Sequence, residues 1–333
     1  IRTGISTVII LRLSGLDEVQ MRSHLALILI GLAIVNVIVS VRIGPIGAGL
    51  LLPVGGSLAF LLPASFAVRE GGLALVSGMT IFSGVLMACL APFLPRLRPF
   101  FPTEIAGLVI LIIGLDSSLI GQTAIMDHSM IDPAVSVQAY VISFAIIAAM
   151  VFLSVWVGGA VTNYAVIIGI LVGIGCLFPS EALGYAPVAY EVDAPILAVP
   201  SLSTLSFAFR FDLVLVYSIT TLAVALLLIG NITNAQMISD PKWVRPNMRS
   251  IVGGTLGGGL GTIISGLFGS HGVSVNSPNL GLSKASGVLS ISVIYVVAAM
   301  LVVLAFSPLL LDDILSIPRI ITGAIWLFLG AYI

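Results

Sequence analysis

Charge is the scarcest commodity in this chain. Only 8% of its 333 residues are Asp, Glu, Lys or Arg, while 59% are hydrophobic and the mean hydropathy is +1.22. A soluble domain of this size needs far more charge to cover its surface. There is no basic tract and no recognisable nucleic-acid-binding module, so a nucleic-acid partner is excluded. The three histidines, His24, His128 and His271, lie far apart, with no metal-ligand spacing and no nucleophile motif beside them. That argues against an enzyme, and no metal or cofactor is implied. Cys89 and Cys176 both fall in apolar runs, which speaks against a disulfide framework. The glycine cluster Gly253-Gly254-Thr255-Leu256-Gly257-Gly258-Gly259-Leu260-Gly261 also lies in a span, without the following Lys-Ser/Thr of a phosphate loop. It reads as close helix packing by small residues.

What the chain does have is long apolar runs. They recur too often and too evenly for a signal peptide plus a soluble domain. The class is an all-α polytopic membrane protein, multi-pass in a plasma (inner) membrane, with the lipid bilayer as its first partner. Spans fall at about 24–41, 44–68 (interrupted), 72–93, 103–122, 138–157, 160–178, 211–238, 248–268, 288–309 and 317–333. A helix fragment at 1–10 precedes them, followed by an expected exposed loop holding Arg12, Asp17, Glu18 and Arg22. The chain opens on Ile1 and stops at Ile333 inside an apolar run, which reads as truncation at both ends.

Loop charges give an orientation. Arg42, then Arg96 and Arg98, then Lys242, Arg245 and Arg249 sit in loops separated by even numbers of spans, so all share one side. The other side carries Asp127, His128, Asp132, Glu181, Glu191, Asp193, Asp312 and Asp313. The basic side is cytoplasmic under the positive-inside rule.

An internal repeat is visible as well. Pro102 to Gly107 and Gly114 match Pro318 to Gly323 and Gly330 at a shift of 216 residues, with Ile105/Ile321 and Leu111/Leu327 identical. An odd number of spans separates the copies, so they are inverted in the membrane. Inverted repeats interrupted at corresponding positions mark secondary transporters, with the solute site near the midplane.

The interruption in the second repeat is 271–287. Val273, Ser274, Val275 and Asn276 alternate like a strand, Ser277 is a good N-cap, and Pro278 suits a first helical turn. Its counterpart in the first repeat is 51–63, rich in Gly and Pro; Pro63 falls within one residue of Pro278 at the repeat shift. Two such strand-then-helix segments can pair antiparallel, their helix N-termini offering free N–H groups to a common space. Backbone of this kind is tolerated at membrane depth only in protein or around a cavity.

The run Pro278-Asn279-Leu280-Gly281, four residues, then Ser286-Gly287 resembles the signature of the nucleobase–ascorbate transporters, with Ser286 in place of Thr. Gly266-Leu267-Phe268-Gly269, Phe101 through Leu115 and Gly55-Gly56-Ser57-Leu58-Ala59-Phe60 resemble the same family, and the likeness covers essentially the whole chain. The resemblance implies a seven-plus-seven inverted-repeat fold with broken third and tenth segments. It further implies a core (1–93 and 209–310 here), a gate (94–208 and 311–333), homodimers, and an elevator-like movement of core against gate. Family substrates are uracil, xanthine, urate and other purines with H⁺, or ascorbate with Na⁺, so the coupling ion is H⁺ or Na⁺. In the span 211–238 the family typically carries Glu-x-x-Gly-Asp; here the stretch is Leu227-Leu228-Ile229-Gly230-Asn231, and both carboxylates are absent. The neutral site favours a neutral or anionic solute.

The substrate-site candidates are Ser57, Leu58, Ala59 and Phe60, then Leu227 and Asn231, then Ser277, Pro278 and Asn279. Backbone N–H groups near 58–60 and 278–280 would carry most of the polar recognition. Asn231 and Asn234 either face the solute or bond neighbouring helices, and Asn279 either touches the solute or ties the broken segments together. His271 is a protonation switch or a boundary residue, Lys284 a coupling group or a cytoplasmic-end residue, and Glu104 a gating residue or an acid at a helix start. Asp116 reads as solvated. Three functions follow: import of a nucleobase-like heterocycle, carriage of a small organic anion on the same fold, or a non-transporting sensor or scaffold.

Overall fold

The computed structural model describes residues 2–94, 111, 114–115, 118–119, 121–126, 133–157, 164–177, 197–202, 205–240, 242–275, 280, 283, 288–315 and 317–332. In chain order the elements are α1 (Arg2–Leu13), α2 (Glu18–Ser40), β1 (Val54–Gly56), a 3-10 turn (Leu58–Phe60), α3 (Leu61–Leu90), α4 (Pro133–Phe152), α5 (Ala165–Leu177), α6 (Val214–Ser239), α7 (Met248–Leu267), β2 (Val273–Val275), α8 (Ser292–Ala305), α9 (Pro308–Leu315) and α10 (Arg319–Tyr332). Five helices among the described residues are long and apolar enough to cross a membrane: Val19–Ser40, Leu58–Phe93, Val137–Val157, Phe211–Ser239 and Met248–Leu267. Residues Ala165–Cys176, Ser292–Ala305 and Ile320–Ala331 form shorter apolar helices.

Several expected boundaries shift, each for a local reason. The loop drawn around Arg12 to Arg22 shrinks to four residues, because α1 continues to Leu13 and α2 begins at Glu18. The span expected at 288–309 is instead α8, a break, and α9. Pro308 cannot donate to the preceding turn, so the helix stops and restarts. Asp312 thus sits on a helix rather than in a loop, and it accepts a 2.7 Å bond from Arg22 Nε. The long α3 is two helices in fact, divided at Gly72, whose φ of +66° only glycine adopts without strain.

The chain divides into two compact units. One comprises Thr3–Ala106 and Pro195–Asp312; the other comprises Gly107–Ala194 and Asp313–Ile333 with the first two residues.

Within the larger unit α7 is the central element, packed against α2, α3 and α6. Its glycines make this possible. A Cβ on Gly259 would lie 2.6 Å from the backbone nitrogen of Ala88 in α3, and one on Gly253 would lie 2.5 Å from the carbonyl oxygen of Gly47. Gly47 N–H donates to that same Gly253 carbonyl at 2.8 Å. The glycine cluster is therefore close packing, and α7 has no room for side chains on two faces. At one end of this unit Arg210 bonds Asp212 and Glu70, whose carboxylates push its guanidinium further up and keep it charged.

Within the smaller unit α4, α5 and α10 pack together, and helical residues of 111–126 cross α10 through glycines. A Cβ on Gly114 would meet the Gly330 carbonyl at 2.6 Å, and one on Gly121 would meet the Gly323 carbonyl at 2.7 Å. The register is antiparallel. Gly114 and Gly330 are also the equivalent positions of the internal repeat, so the two copies touch each other at their own matching residue. That is the contact an inverted pseudo-two-fold axis produces.

Candidate functional site at the strand crossing

The two broken segments meet as the alternating pattern requires. β1 and β2 pair antiparallel, with Val54 opposite Val275, Gly55 opposite Ser274 and Gly56 opposite Val273. All six residues are buried. The pairing runs one step further, Ser57 N–H donating to Gly272 C=O at 2.9 Å.

A two-stranded ribbon of this length is marginal by itself, and its outer edges need partners that lipid cannot supply. Side chains provide them. Asn36 of α2 accepts from Val54 N–H through Oδ1 at 2.9 Å, and its Nδ2 donates to Val54 C=O at 3.1 Å and to Leu32 C=O at 2.8 Å. One turn further along α2, the Ser40 hydroxyl donates to Leu52 C=O at 3.0 Å. On the far edge, Asn231 Nδ2 of α6 donates to Val275 C=O at 2.9 Å. Ser265 of α7 donates to His271 C=O at 2.8 Å, steadying the approach to β2. Side-chain amides thus stand where neighbouring strands would be.

Past β1 the backbone turns helical at once. Ser57 is extended (φ −84°, ψ 127°) and its C=O accepts the first intrahelical bond, from Phe60 N–H at 3.1 Å. The N–H groups of Leu58 and Ala59 precede that bond, as N-terminal groups do. Leu58 and Ala59 are half-buried, and Ser57 is buried. Phe60 is fully buried; its ring lies against Tyr217 at 6.2 Å between centroids and directly over the backbone of Gly272. Around it the structure leaves polar atoms unspent: Tyr217 Oη and His271 Nε2 are buried without a hydrogen-bond partner among the described residues.

A permease family model, that of the xanthine/uracil permeases, matches residues 2–333. The chain belongs to the nucleobase–ascorbate transporter family. This permease is 25% identical over 294 residues to the xanthine permease XanP of Escherichia coli (strain K12), covering 84% of this chain and 63% of that one. It is 27% identical over 294 residues to the uracil permease of the same organism, covering 83% and 63%. The chain therefore spans less than two thirds of these relatives' length. Both are named as permeases rather than enzymes. Two solved structures share its fold. They are the transmembrane domain of a cyanobacterium bicarbonate transporter, BicA (TM-score 0.63, 15% identity, 99% of this chain and 84% of that one), and SLC26A9 (TM-score 0.60, 10% identity, 99% and 55%). The permease accordingly has the seven-plus-seven inverted-repeat fold of a multi-pass membrane protein.

Of the residues read from the sequence, Ser57, Leu58, Ala59 and Phe60 lie together at the start of the first half-helix. Asn231 reaches the same crossing through Val275, and Leu227 lies one turn before it, half-buried. Ser277, Pro278, Asn279 and Lys284, with Glu104 and Asp116, lie outside the described residues. Asn234 is exposed on α6. Asn36, Ser40 and Ser265 are the positions that sequence reading passed over. A polar pair one turn apart in an apolar span was the available signal, since intramembrane polar groups face the protein interior and bond there.

Proposed function

We propose that this permease carries a nucleobase-like heterocycle, a purine or pyrimidine, across the plasma membrane, coupled to H⁺ or Na⁺. The observation that supports it best is the buried β1–β2 crossing, with a half-helix opening at Leu58 and its N–H groups ahead of the helical ladder. Such groups suit the carbonyl and ring-nitrogen acceptors of a nucleobase. The proposed solute contacts are Ser57, Leu58, Ala59, Phe60, Leu227, Asn231, Ser277, Pro278 and Asn279. Transport then proceeds by movement of the larger unit, as core, against the smaller unit, as gate, within a homodimer.

One observation favours a second reading, a small organic anion. Leu227 is apolar, and Asn231 commits an amide N–H to Val275, so α6 brings no carboxylate to these positions. Thermal stabilisation of the purified full-length protein separates the readings. Xanthine, uracil, urate, ascorbate and small carboxylates are compared at two pH values, with and without Na⁺. Stabilisation by a nucleobase is the expected result. Stabilisation by carboxylates alone moves the substrate class to anions, and silence throughout favours a non-transporting role. Leu227→Glu restores a two-acceptor partner for base N–H groups and is expected to tighten nucleobase binding about tenfold or more. Unchanged or weaker binding counts against a base in this pocket.

A further inference from the structure

At the end of the larger unit that the positive-inside rule assigns to the cytoplasm, there is a cavity of about 410 Å³. It is formed where the ends of α2 and α6 meet the start of α7, and it falls in the size range of small-molecule sites, about 300–1,000 Å³. The polar side chains on its wall are unusual. Arg42 and Arg245 both line it, and neither has a carboxylate or hydrogen-bond partner among the described residues. Trp243 lines it too, through its ring rather than through its indole N–H, which is buried.

The remaining wall is already satisfied. Gln236 exchanges two bonds with the Asn247 backbone, Nε2 to the carbonyl at 3.1 Å and the amide to Oε1 at 2.8 Å. Asn247 caps α7, its Oδ1 accepting from Arg249 and Ser250 N–H, and the Ser250 hydroxyl bonds the Ala48 carbonyl. The helix terminus is therefore closed by its own cap. Asp240 contributes the single acid of the wall, and its Oδ1 accepts the Lys242 N–H at 2.9 Å.

Two guanidiniums without a protein partner among the described residues thus line one space, and both are donor-only. Guanidinium is the side chain best matched to phosphate, through paired N–H donors in a fixed fork. We propose that this cavity is a binding site for a phosphate group, held by Arg42 and Arg245. A phosphate there ties the loop after α2 to the loop before α7, two segments otherwise joined through Gly47–Gly253 and Ser250–Ala48. The phosphate arrives either on an anionic lipid of the inner leaflet or on a soluble molecule of the cytosol. The site is distinct from the proposed solute residues, and its test is independent of whether a nucleobase is carried.

The full-length protein is reconstituted in nanodiscs of phosphatidylcholine and titrated with inorganic pyrophosphate, following Tm and tryptophan fluorescence. A second arm replaces part of the phosphatidylcholine by phosphatidylglycerol, with no added phosphate. Stabilisation in the first arm identifies a soluble ligand; stabilisation in the second alone identifies a lipid headgroup. In either case the shift disappears in Arg42→Gln/Arg245→Gln, and each single Arg→Gln change lowers the affinity about tenfold, as for the loss of one bond to a charged group. Both arginines are exposed, so folding does not rest on them; each single Arg→Gln variant reads the same effect in smaller measure should the double variant fail to fold. No shift in either arm, or a shift that survives in the arginine variants, overturns the proposal.

Discussion

Asn36 does the work of a whole strand with one side chain. Its amide satisfies the N–H and C=O of Val54 on the edge that β2 does not reach, in a place where no water competes. Replacement by Leu keeps the volume and removes the bonds, leaving two buried backbone groups bare. At about 1–3 kcal/mol for each unsatisfied group, Asn36→Leu is expected to lower stability by roughly 2–5 kcal/mol. Asn231→Leu bares the Val275 carbonyl, a loss that by itself should cost about 1–3 kcal/mol. Unfolding in mixed micelles measures both, and an Asn36→Leu protein as stable as the parent would count against the brace. Little of this was legible beforehand. Asn231 stood out because a family pattern pointed to it, whereas Asn36 and Ser40 carried the same message only in their spacing. Their partners lie 18 and 12 residues away along a segment whose extended path no helical periodicity announces.

At the scale of elements, α7 is defined by what it omits. Gly259→Ala drives a methyl group against the Ala88 backbone, which cannot yield without parting α7 from α3. Overpacking of this kind costs about 1–3 kcal/mol. Gly230 on α6 is the contrast: among the described residues nothing lies within 4 Å of its Cβ position, so Gly230→Ala should stabilise by about 0.5–1 kcal/mol through helix propensity alone. Opposite signs from the same substitution, read by thermal unfolding, check the assignment of close packing. Elements were more readable than side chains. Alternation at Val273–Val275 announced a strand, and the gap between the spans 44–68 and 72–93 announced the divide in α3. The α8–α9 break was missed because hydropathy stays high through Phe306, Ser307 and Pro308, and a sliding apolar run conceals a missing N–H.

For the molecule as a whole, the span arithmetic puts Arg42 and Arg245 on one side of the membrane and the turn after the span 44–68, with Glu70, on the other. Arg42 and Arg245 line one cavity, while Glu70, Arg210 and Asp212 gather elsewhere in the same unit. With Cys89 and Cys176, both free thiols, changed to Ser, a cysteine at exposed Val244 should react with a membrane-impermeant maleimide only in inside-out vesicles. One at exposed Glu70 should react only in intact cells. The reverse pattern would invert the topology. The inverted repeat was legible from matching Pro and Gly positions; the direct contact of Gly114 with Gly330 was not, because a repeat in sequence says nothing of where its axis passes.

The strand crossing also sets a timetable for synthesis. β1 leaves the ribosome long before Val275 exists to meet it, and at roughly 5–20 residues per second the wait is on the order of ten to forty seconds. Asn36, by contrast, lies 18 residues earlier on the adjacent span and is made before Val54, whose backbone groups it takes up on the outer edge. The amide therefore closes one edge of β1 from the start, so that only the edge facing β2 stays open until the second half of the chain arrives.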